Sequence, residues 1–428
     1  MGAAPDARAH SENPSSETDS TRTGGHASLS VALGLAAGPA VGLGLARFGY
    51  GLILPPMRAA LHWDYSVAGA LNTANAAGYL AGSVGVVGLR RRFSDRTLFL
   101  VGIVGTVCSL AASAWGSAVV VALALRALSG IFPAVSLVAG AALLAEATRG
   151  APQGRSAVLL GVYFGGGGLG VAASGLLIPA VLDASGTDGW RFAWATCAAL
   201  GALLLLCALP AVRALKGSAG QGDAWRRPAG APWPVRSIGP ILAAYGLYGV
   251  GYITYMTFIV ALLQERGAGP GDVTVFWVLL GLAAVGGGFA WGPVLGRLSS
   301  GHGLAVVLLF GLVGTVIPLL SSSTVAWVLS SAAFGVSFLS VITAATAGAR
   351  RVLGPHLLPG AVSGLTIAMA SGQCVGPVLA GLLSDHAGGI RSALWLGAGL
   401  LAAAVLAGAA QDLLPDRRAF AEIDRSVK

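Results

Sequence analysis

The sequence predicts an all-α membrane protein with twelve transmembrane helices in two six-helix halves. Three observations carry this prediction. Of 428 residues only 10% are charged and 55% are hydrophobic, with a mean hydropathy of +0.78, whereas a soluble domain has roughly 25% charged residues. Twelve apolar runs reach the ~20 residues needed to cross a bilayer core of about 30 Å. The basic residues also alternate between the two sides of these runs in a pattern that miscounting one helix would invert.

The elements follow in chain order. Residues 1–27 are rich in Ser, Thr, Asp, Glu and Gly. They are too polar for a signal-peptide core and too poor in apolar residues to fold alone, so they read as a disordered cytoplasmic tail. The first half, 28–212, holds apolar runs near 28–54, 66–88, 97–115, 117–146, 157–182 and 190–212. A linker at 213–236 carries Gly, Pro and five basic residues, and other loops are mostly shorter. The second half, 237–411, holds runs near 237–263, 273–296, 304–321, 324–348, 362–384 and 392–411, and residues 412–428 form a second cytoplasmic tail. Gly, Ala and Val are poor in soluble helices, but small residues let membrane helices approach closely.

Orientation follows from the Lys and Arg of the short loops, which prefer the cytoplasm. With both termini inside, twenty of the 26 basic residues face the cytoplasm, among them Arg90, Arg91, Arg92, Arg149, Arg297 and Arg351. Arg58, Arg191, Arg266 and Arg391 face the other way, and Arg47 and Arg126 fall within spans. The net charge of +9 therefore has a topological meaning. No clustered basic face with stacking residues points to nucleic acid. Cys108, Cys197, Cys207 and Cys374 lie inside apolar runs without the spacing of a disulfide frame or zinc site, so they read as packing residues. No cofactor or metal is expected.

Arg47 and Arg126 are the most informative residues, because a guanidinium near the bilayer middle is costly and usually faces a cavity or a partner. Measured from span edges at Pro55 and Ser117, both lie about 12–14 Å deep, in one layer. No Asp or Glu lies well inside a span: Glu146 and Asp385 sit at helix ends. A bound anion would supply the missing negative charge, since arginine's planar fork suits carboxylate or phosphate. The bland alternative is that each guanidinium bonds carbonyls, Asn or Tyr and locks helices together. Asn72 and Asn75 share a face of the second span with Tyr79, and Asn75 falls in the arginine layer. Tyr245, Tyr248, Tyr252 and Tyr255 form one helical stripe, either a cavity wall or core packing. Gln373 lies mid-span beside Gly376 and Pro377. Pro133, Pro179, Pro293 and Pro377 mark expected kinks.

Six segments carry a family resemblance: "LARFGYGLILPPM" at 45–57, "LNTANAAGYLAGS" at 71–83, "RALSG" at 126–130, "GGGGLG" at 165–170, "YGLYGVGYITYMTF" at 245–258 and "SGQCVGPVLAGLLSD" at 371–385. With the six-plus-six layout, the chain resembles the major facilitator superfamily and, within it, the YbfB/YjiJ-like branch of bacterial transporters. Internal echoes agree: "GWRFAW" at 189–194 and "GIRSALW" at 389–395 precede the last span of each half. The loop "GLRRRFSDR" at 88–96 departs from the superfamily pattern, because Asp95 follows Arg90 to Arg92, so the usual gate interaction is not carried over. The fifth span lacks the Gly-Pro pair of the superfamily's antiporter signature, although Gly376 and Pro377 supply one in the eleventh, so antiport is not inferred from the motif. "GGGGLG" formally matches a nucleotide fingerprint, but it lies inside a span where a strand-turn-helix is required. It reads as a close-packing or bending point.

These readings lead to a non-enzymatic secondary transporter of the bacterial inner membrane, moving a small organic molecule, anionic more than cationic, by alternating access. Arg47 and Arg126 are expected to bind the anion, and Asn75 and Tyr50 to orient it. Tyr248, Tyr252, Tyr255 and Gln373 would close the opposite wall. Arg90, Asp95, Glu146, Gly376, Pro377 and Asp385 are the expected gating or coupling residues. With no phosphate-binding loop for ATP, an ion gradient would drive the cycle, with protons the candidate coupling ion and a monomer the working unit. The alternatives are multidrug-type efflux of amphiphiles, disfavoured for cations by the shortage of buried carboxylates, and a transport-inactive membrane sensor, disfavoured by the small tails. A membrane enzyme would need a nucleophile and base or clustered ligands at depth, and all six His lie in tails, loops or span ends.

Overall fold

A long apolar helix in lipid must satisfy its own backbone, and the described residues do so in twelve successive helices. The computed structural model describes residues 29–149, 151–215, 234–353, 357–386 and 388–414. The 1–27 tail, most of the 213–236 linker and the end of the 412–428 tail lie outside the described residues. In order, the helices are α1 (Leu29–Leu61), α2 (Tyr65–Leu89), α3 (Asp95–Ser113), α4 (Val119–Ala147), α5 (Gln153–Ser185) and α6 (Gly189–Ala214). The second set is α7 (Gly239–Glu265), α8 (Pro270–Arg297), α9 (Ser300–Leu320), α10 (Thr324–Leu353), α11 (Leu358–His386) and α12 (Gly389–Ala410). Among the described residues ten stretches are long and apolar enough to cross a membrane, one of them, Gly154–Ala214, spanning most of α5 and all of α6. α2 has the length, at 25 residues, but carries Asn72, Thr73, Asn75 and Ser83, which lower its apolarity.

Helix ends follow local chemistry. Ser94 Oγ accepts from Thr97 N–H to start α3, Ser323 Oγ accepts from Ala326 N–H to start α10, and Asp272 accepts from Gly269 N–H beside the N-terminal Pro270 of α8. Four arginines at the other helix ends bond exposed carbonyls. Arg58 donates to Trp63 O (3.3 Å), Arg191 to Ala114 O after α3 (2.8 Å), Arg266 to Pro318 and Leu319 O of α9 (2.5 and 3.0 Å), and Arg391 to Leu319 O (3.5 Å). The echo between "GWRFAW" and "GIRSALW" thus has a physical content: in each half the arginine opening the sixth helix caps the end of the third.

Two departures from expectation concern α1. The run predicted to stop at 54 continues through Pro55 and Pro56 to Leu61, so Arg58 sits in a last helical turn rather than a loop. Prolines inside a membrane helix are tolerated where neighbours meet the freed carbonyls. The second departure is that Ala40–Phe48 is a π-helix, with Gly49 N–H reaching back to Gly44 O (2.9 Å). The helices α4, α5, α8 and α11 run on through Pro133, Pro179, Pro293 and Pro377. All four cysteines are free; Cys197 is buried, but Cys108 and Cys207 are exposed on the outside of the bundle, where packing is not their role.

Small residues set the packing. A Cβ on Gly78 or Gly82 of α2 would lie 2.1 or 2.4 Å from a carbonyl of α4, and one on Gly166 or Gly170 of α5 would lie 2.2 or 2.3 Å from a carbonyl of α1. Gly168 and Gly175 of the same helix face Gly281 and Trp277 of α8. "GGGGLG" is therefore a two-sided close-packing face.

The two halves meet principally at three places: α2 on α11, α5 on α8, and the last third of α1 on α7. The burial of α7 shows where they close. Every residue from Gly251 to Leu263 is buried, whereas Ala243, in the half nearer the arginine-rich loops, is exposed. Val84 of α2 and Ile367 of α11, also nearer those loops, are 67% and 60% exposed. The halves are thus sealed at the end bearing Tyr65 and Asp385, while at the arginine-rich end α2 and α11 draw apart although α5 still packs on α8, with Gly161 against Phe289.

Candidate functional site

Two irregular helices meet midway along the bundle. α10 breaks between Phe338 and Ser340, and its Phe338 ring packs edge-on against Phe48, the last residue of the α1 π-segment, at 4.9 Å. One turn nearer the arginine-rich end, Leu43 of α1 and Leu339 of α10 both approach Gly167. Interrupted helices at the interface between repeated halves are where transporter sites are built, and π-segments recur at functional sites.

The π-segment delivers Arg47 to this level. Its side chain is buried, with one Nη donating to Gln373 Oε1 of α11, 326 residues away in the other half. Its guanidinium lies 5.2 Å from the Tyr79 ring and 5.9 Å from Phe48, and Tyr252 faces both Arg47 and Gln373. Arg47 Nε has no protein partner. Among the described residues no carboxylate forms an ion pair with it.

Arg126 lies in the same layer, as the depth argument requires, since its Nη1 donates to Ala46 O (2.6 Å), the carbonyl just before Arg47. Its role is different. Nη1 also reaches Ser129 Oγ and Nη2 reaches Asn72 Oδ1, both at 3.4 Å, and the Tyr50 and Trp194 rings lie 4.5 and 5.8 Å from its Cζ. Asn72 in turn donates to Thr257 Oγ1 of α7 (2.6 Å), and Thr257 to Ile253 O. A polar chain therefore runs from α1 through Arg126 and Asn72 to the second half. Such pairing offsets the cost of a buried charge, and cation–π contact adds to it. A cavity of about 10 Å³, the size of one water, is lined by Arg126, Tyr50, Trp194, Met57, Leu71, Ser113, Gly116 and Ala122.

Several expected ligands are used elsewhere. Tyr50 donates to Ala68 O (2.9 Å) and stacks on Trp194, and Asn75 donates to Arg126 O and Ser129 Oγ (3.3 and 3.2 Å), holding α2 to α4. Tyr248 donates to Phe338 O (2.8 Å) and Tyr255 pairs with Ser330 (2.7 Å), so both hydroxyls tie α7 to α10 of their own half. The stripe does form a ladder, with Tyr245, Tyr248 and Tyr252 stacked at 6.3 and 4.9 Å. Only Tyr252 in that ladder looks across to Arg47.

The gating candidates separate similarly. Arg90 and Asp95 form a bidentate pair with each other (2.6 and 2.8 Å), which explains the displaced acid of that loop: it braces the turn and starts α3. Glu146 is exposed near Arg149 at 3.8 Å. Gly376 packs on Val250 O of α7, and Pro377 O sits where a Cβ on Gly69 of α2 would be, 2.0 Å away. Asp385, at the end of α11, accepts from both Tyr65 N–H and Ser66 N–H of α2, each at 2.9 Å, capping a helix of the opposite half. Among the described residues no cluster of His, Cys, Asp or Glu could hold a metal ion.

Sequence reasoning missed Thr257, Phe48, Phe338 and the weight of Tyr79. Thr257 lies two residues after Tyr255 in an apolar run, and nothing in its neighbourhood marks it. Tyr79 does share a helix face with Asn72 and Asn75, a signal that was available.

The family described as "Uncharacterised MFS-type transporter YbfB" matches residues 39–409. No curated protein matches the chain in sequence. Among solved structures, the chain is similar to a bacterial homologue of the human lysosomal transporter Spinster, inward-facing and unoccupied, with 15% identity, 89% of this chain and 96% of that one covered, and a TM-score of 0.68. It is also similar to a single-residue mutant of the nucleoside transporter NupG, with 14% identity, 90% and 100% coverage, and a TM-score of 0.71. Identities this low establish the shared fold alone.

Proposed function

From the premise that the chain belongs to the YbfB-type family of major facilitator transporters, we propose that it carries a small organic anion across the bacterial inner membrane by alternating access. The single observation behind this is Arg47: a buried guanidinium at the junction of the two halves, with a neutral amide as its hydrogen-bond partner and Nε unpaired. A mobile anion would complete it. Arg47 and Tyr252 are the ligands in this reading, Gln373 occupies Arg47 until cargo arrives, and Arg126 with Asn75 and Tyr50 holds the layer rigid behind them. The excess of arginine at the splayed end supports a cytoplasmic location for that end and for both termini. The described shape is then the inward-open stage, and rocking of the halves about the Arg47 layer would expose it to the other side. An ion gradient drives the cycle, with the proton as coupling ion and one chain as the working unit.

The test is uptake of a panel of labelled carboxylates into proteoliposomes. At matched reconstitution, Arg47→Ala is expected to lower uptake about thirtyfold or more, the cost of removing one member of a desolvated charge pair. Equal uptake by variant and parent would overturn the anion reading.

A further inference from the structure

The surroundings of Arg47 restrict the cargo further. Three rings stand around the guanidinium, Phe48 and Tyr79 from the first half and Tyr252 from the second, and a fourth, Phe338, packs on two of them. Phe338 contacts both Phe48 (4.9 Å) and Tyr252 (5.9 Å), so the rings form one wall that crosses the junction. A flat π-face is matched by these rings in stacked or edge-on geometry, and an aromatic pair contributes beyond the area it buries.

The charge available is a single one. Arg126, the other guanidinium of the layer, has an unpaired Nε of its own, but both its Nη atoms already donate, to Ala46 O, Ser129 and Asn72, and it lies over Tyr50 and Trp194. A second carboxylate on the cargo would lie among rings without a cationic partner, an expensive placement for a charge. Gln373 meanwhile presents an amide oxygen to Arg47, the same acceptor type as one carboxylate oxygen but without its charge. A carboxylate displaces an amide from arginine because it adds an opposite full charge and a second oxygen that fits the planar fork bidentately.

Building on the anion reading above, we infer that the cargo is a monocarboxylate on an aromatic body, whose carboxylate replaces the Gln373 carbonyl on Arg47 while its ring joins the wall of Phe48, Tyr79, Tyr252 and Phe338. Displacing Gln373 also releases the hydrogen bond joining α1 to α11, so arrival of cargo loosens the link between the halves.

Thermal-shift titrations on the full chain in nanodiscs, with benzoate, benzamide, cyclohexanecarboxylate and succinate as probes, test this. Benzoate should protect, benzamide and succinate should not, and cyclohexanecarboxylate should bind about three- to tenfold more weakly, the worth of one aromatic pair. Gln373→Glu, which sets a permanent carboxylate on Arg47, should abolish benzoate protection. Gln373→Ala, which frees Arg47, should tighten benzoate about tenfold. Cyclohexanecarboxylate or succinate acting as strongly as benzoate, in an Arg47-dependent manner, would overturn the aromatic monocarboxylate and leave the anion reading standing. Protection by benzamide but by no carboxylate would overturn both. Benzoate protection unchanged in both Gln373 variants would overturn the placement on Arg47, and protection by none of the four probes would overturn the inference as a whole.

Discussion

Arg126 and Arg47 are the same residue type at the same depth, yet their neighbours give them different work. Arg126 uses its fork on a main-chain carbonyl, a serine and an asparagine while two rings lie against it. A lysine there would offer one compact charge without the planar fork or the stacking face. Arg126→Lys is expected to cost about 1–3 kcal/mol, the range for leaving buried polar groups unsatisfied, read as a lower denaturation midpoint in detergent. An unchanged midpoint would mean that the clamp is not structural. The sequence made both arginines conspicuous because charge in an apolar run is rare. It did not separate the clamp from the proposed ligand, because the difference lies in Ala46 O, 80 residues from Arg126, and Gln373, 326 residues from Arg47. Spacing along one helix carries no information about such partners. For the same reason the stripe places the hydroxyls of Tyr248 and Tyr255 on one face but does not reveal that α10, and not the cavity, takes them.

At the scale of elements, the number and order of the spans were legible and most of their ends fell within a turn or so of the observed ones, since crossing lipid demands a long apolar run and turns demand something else. α1 departs most. Its proline pair reads as a stop, and its π-segment has the composition of any membrane helix, so neither the continuation to Leu61 nor the wider winding of Ala40–Phe48 leaves a mark in the sequence. That segment is packed hard against α5: a Cβ on Gly170 would sit 2.3 Å from Ala40 O and 2.8 Å from its Cα. Gly170→Ala therefore forces two backbones apart, an overpacking cost of about 1–3 kcal/mol. Gly288→Ala on α8, where a Cβ meets nothing within 4 Å, should instead raise stability by about 0.5–1 kcal/mol, the ordinary gain of alanine over glycine in a helix. Equilibrium unfolding of the two variants side by side checks the pair, and equal shifts would show that the α1–α5 contact yields more readily than its geometry implies.

The whole molecule consists of two bundles closed on each other at one end and held along α5 and α8. Six-plus-six organisation was readable from the basic-residue asymmetry and the long linker, but which end is shut was not, because closure depends on contacts between residues hundreds apart. Asp385 is one of those contacts, bonded to two N–H groups of α2 across the junction. Replacing a capping carboxylate by alanine costs about 0.5–2 kcal/mol, so Asp385→Ala should shift the balance between closed and open at that end by about two- to thirtyfold. Thr73, which donates to Cys374 O inside the same interface (2.7 Å), supplies the reporter. A membrane-impermeant thiol reagent should label Thr73→Cys faster when Asp385→Ala is added, and an unaltered rate would remove Asp385 from the closure.

The four arginines at the sealed end bear on how the chain is threaded into a bilayer. Each is bonded to carbonyls at the end of a helix or in the turn that follows it, where the partial negative charge of the helix dipole draws it in. They act as local rivets more than as free cations. Neutralising them should therefore fray their helices while leaving the insertion direction, which the many arginines of the other face set, intact.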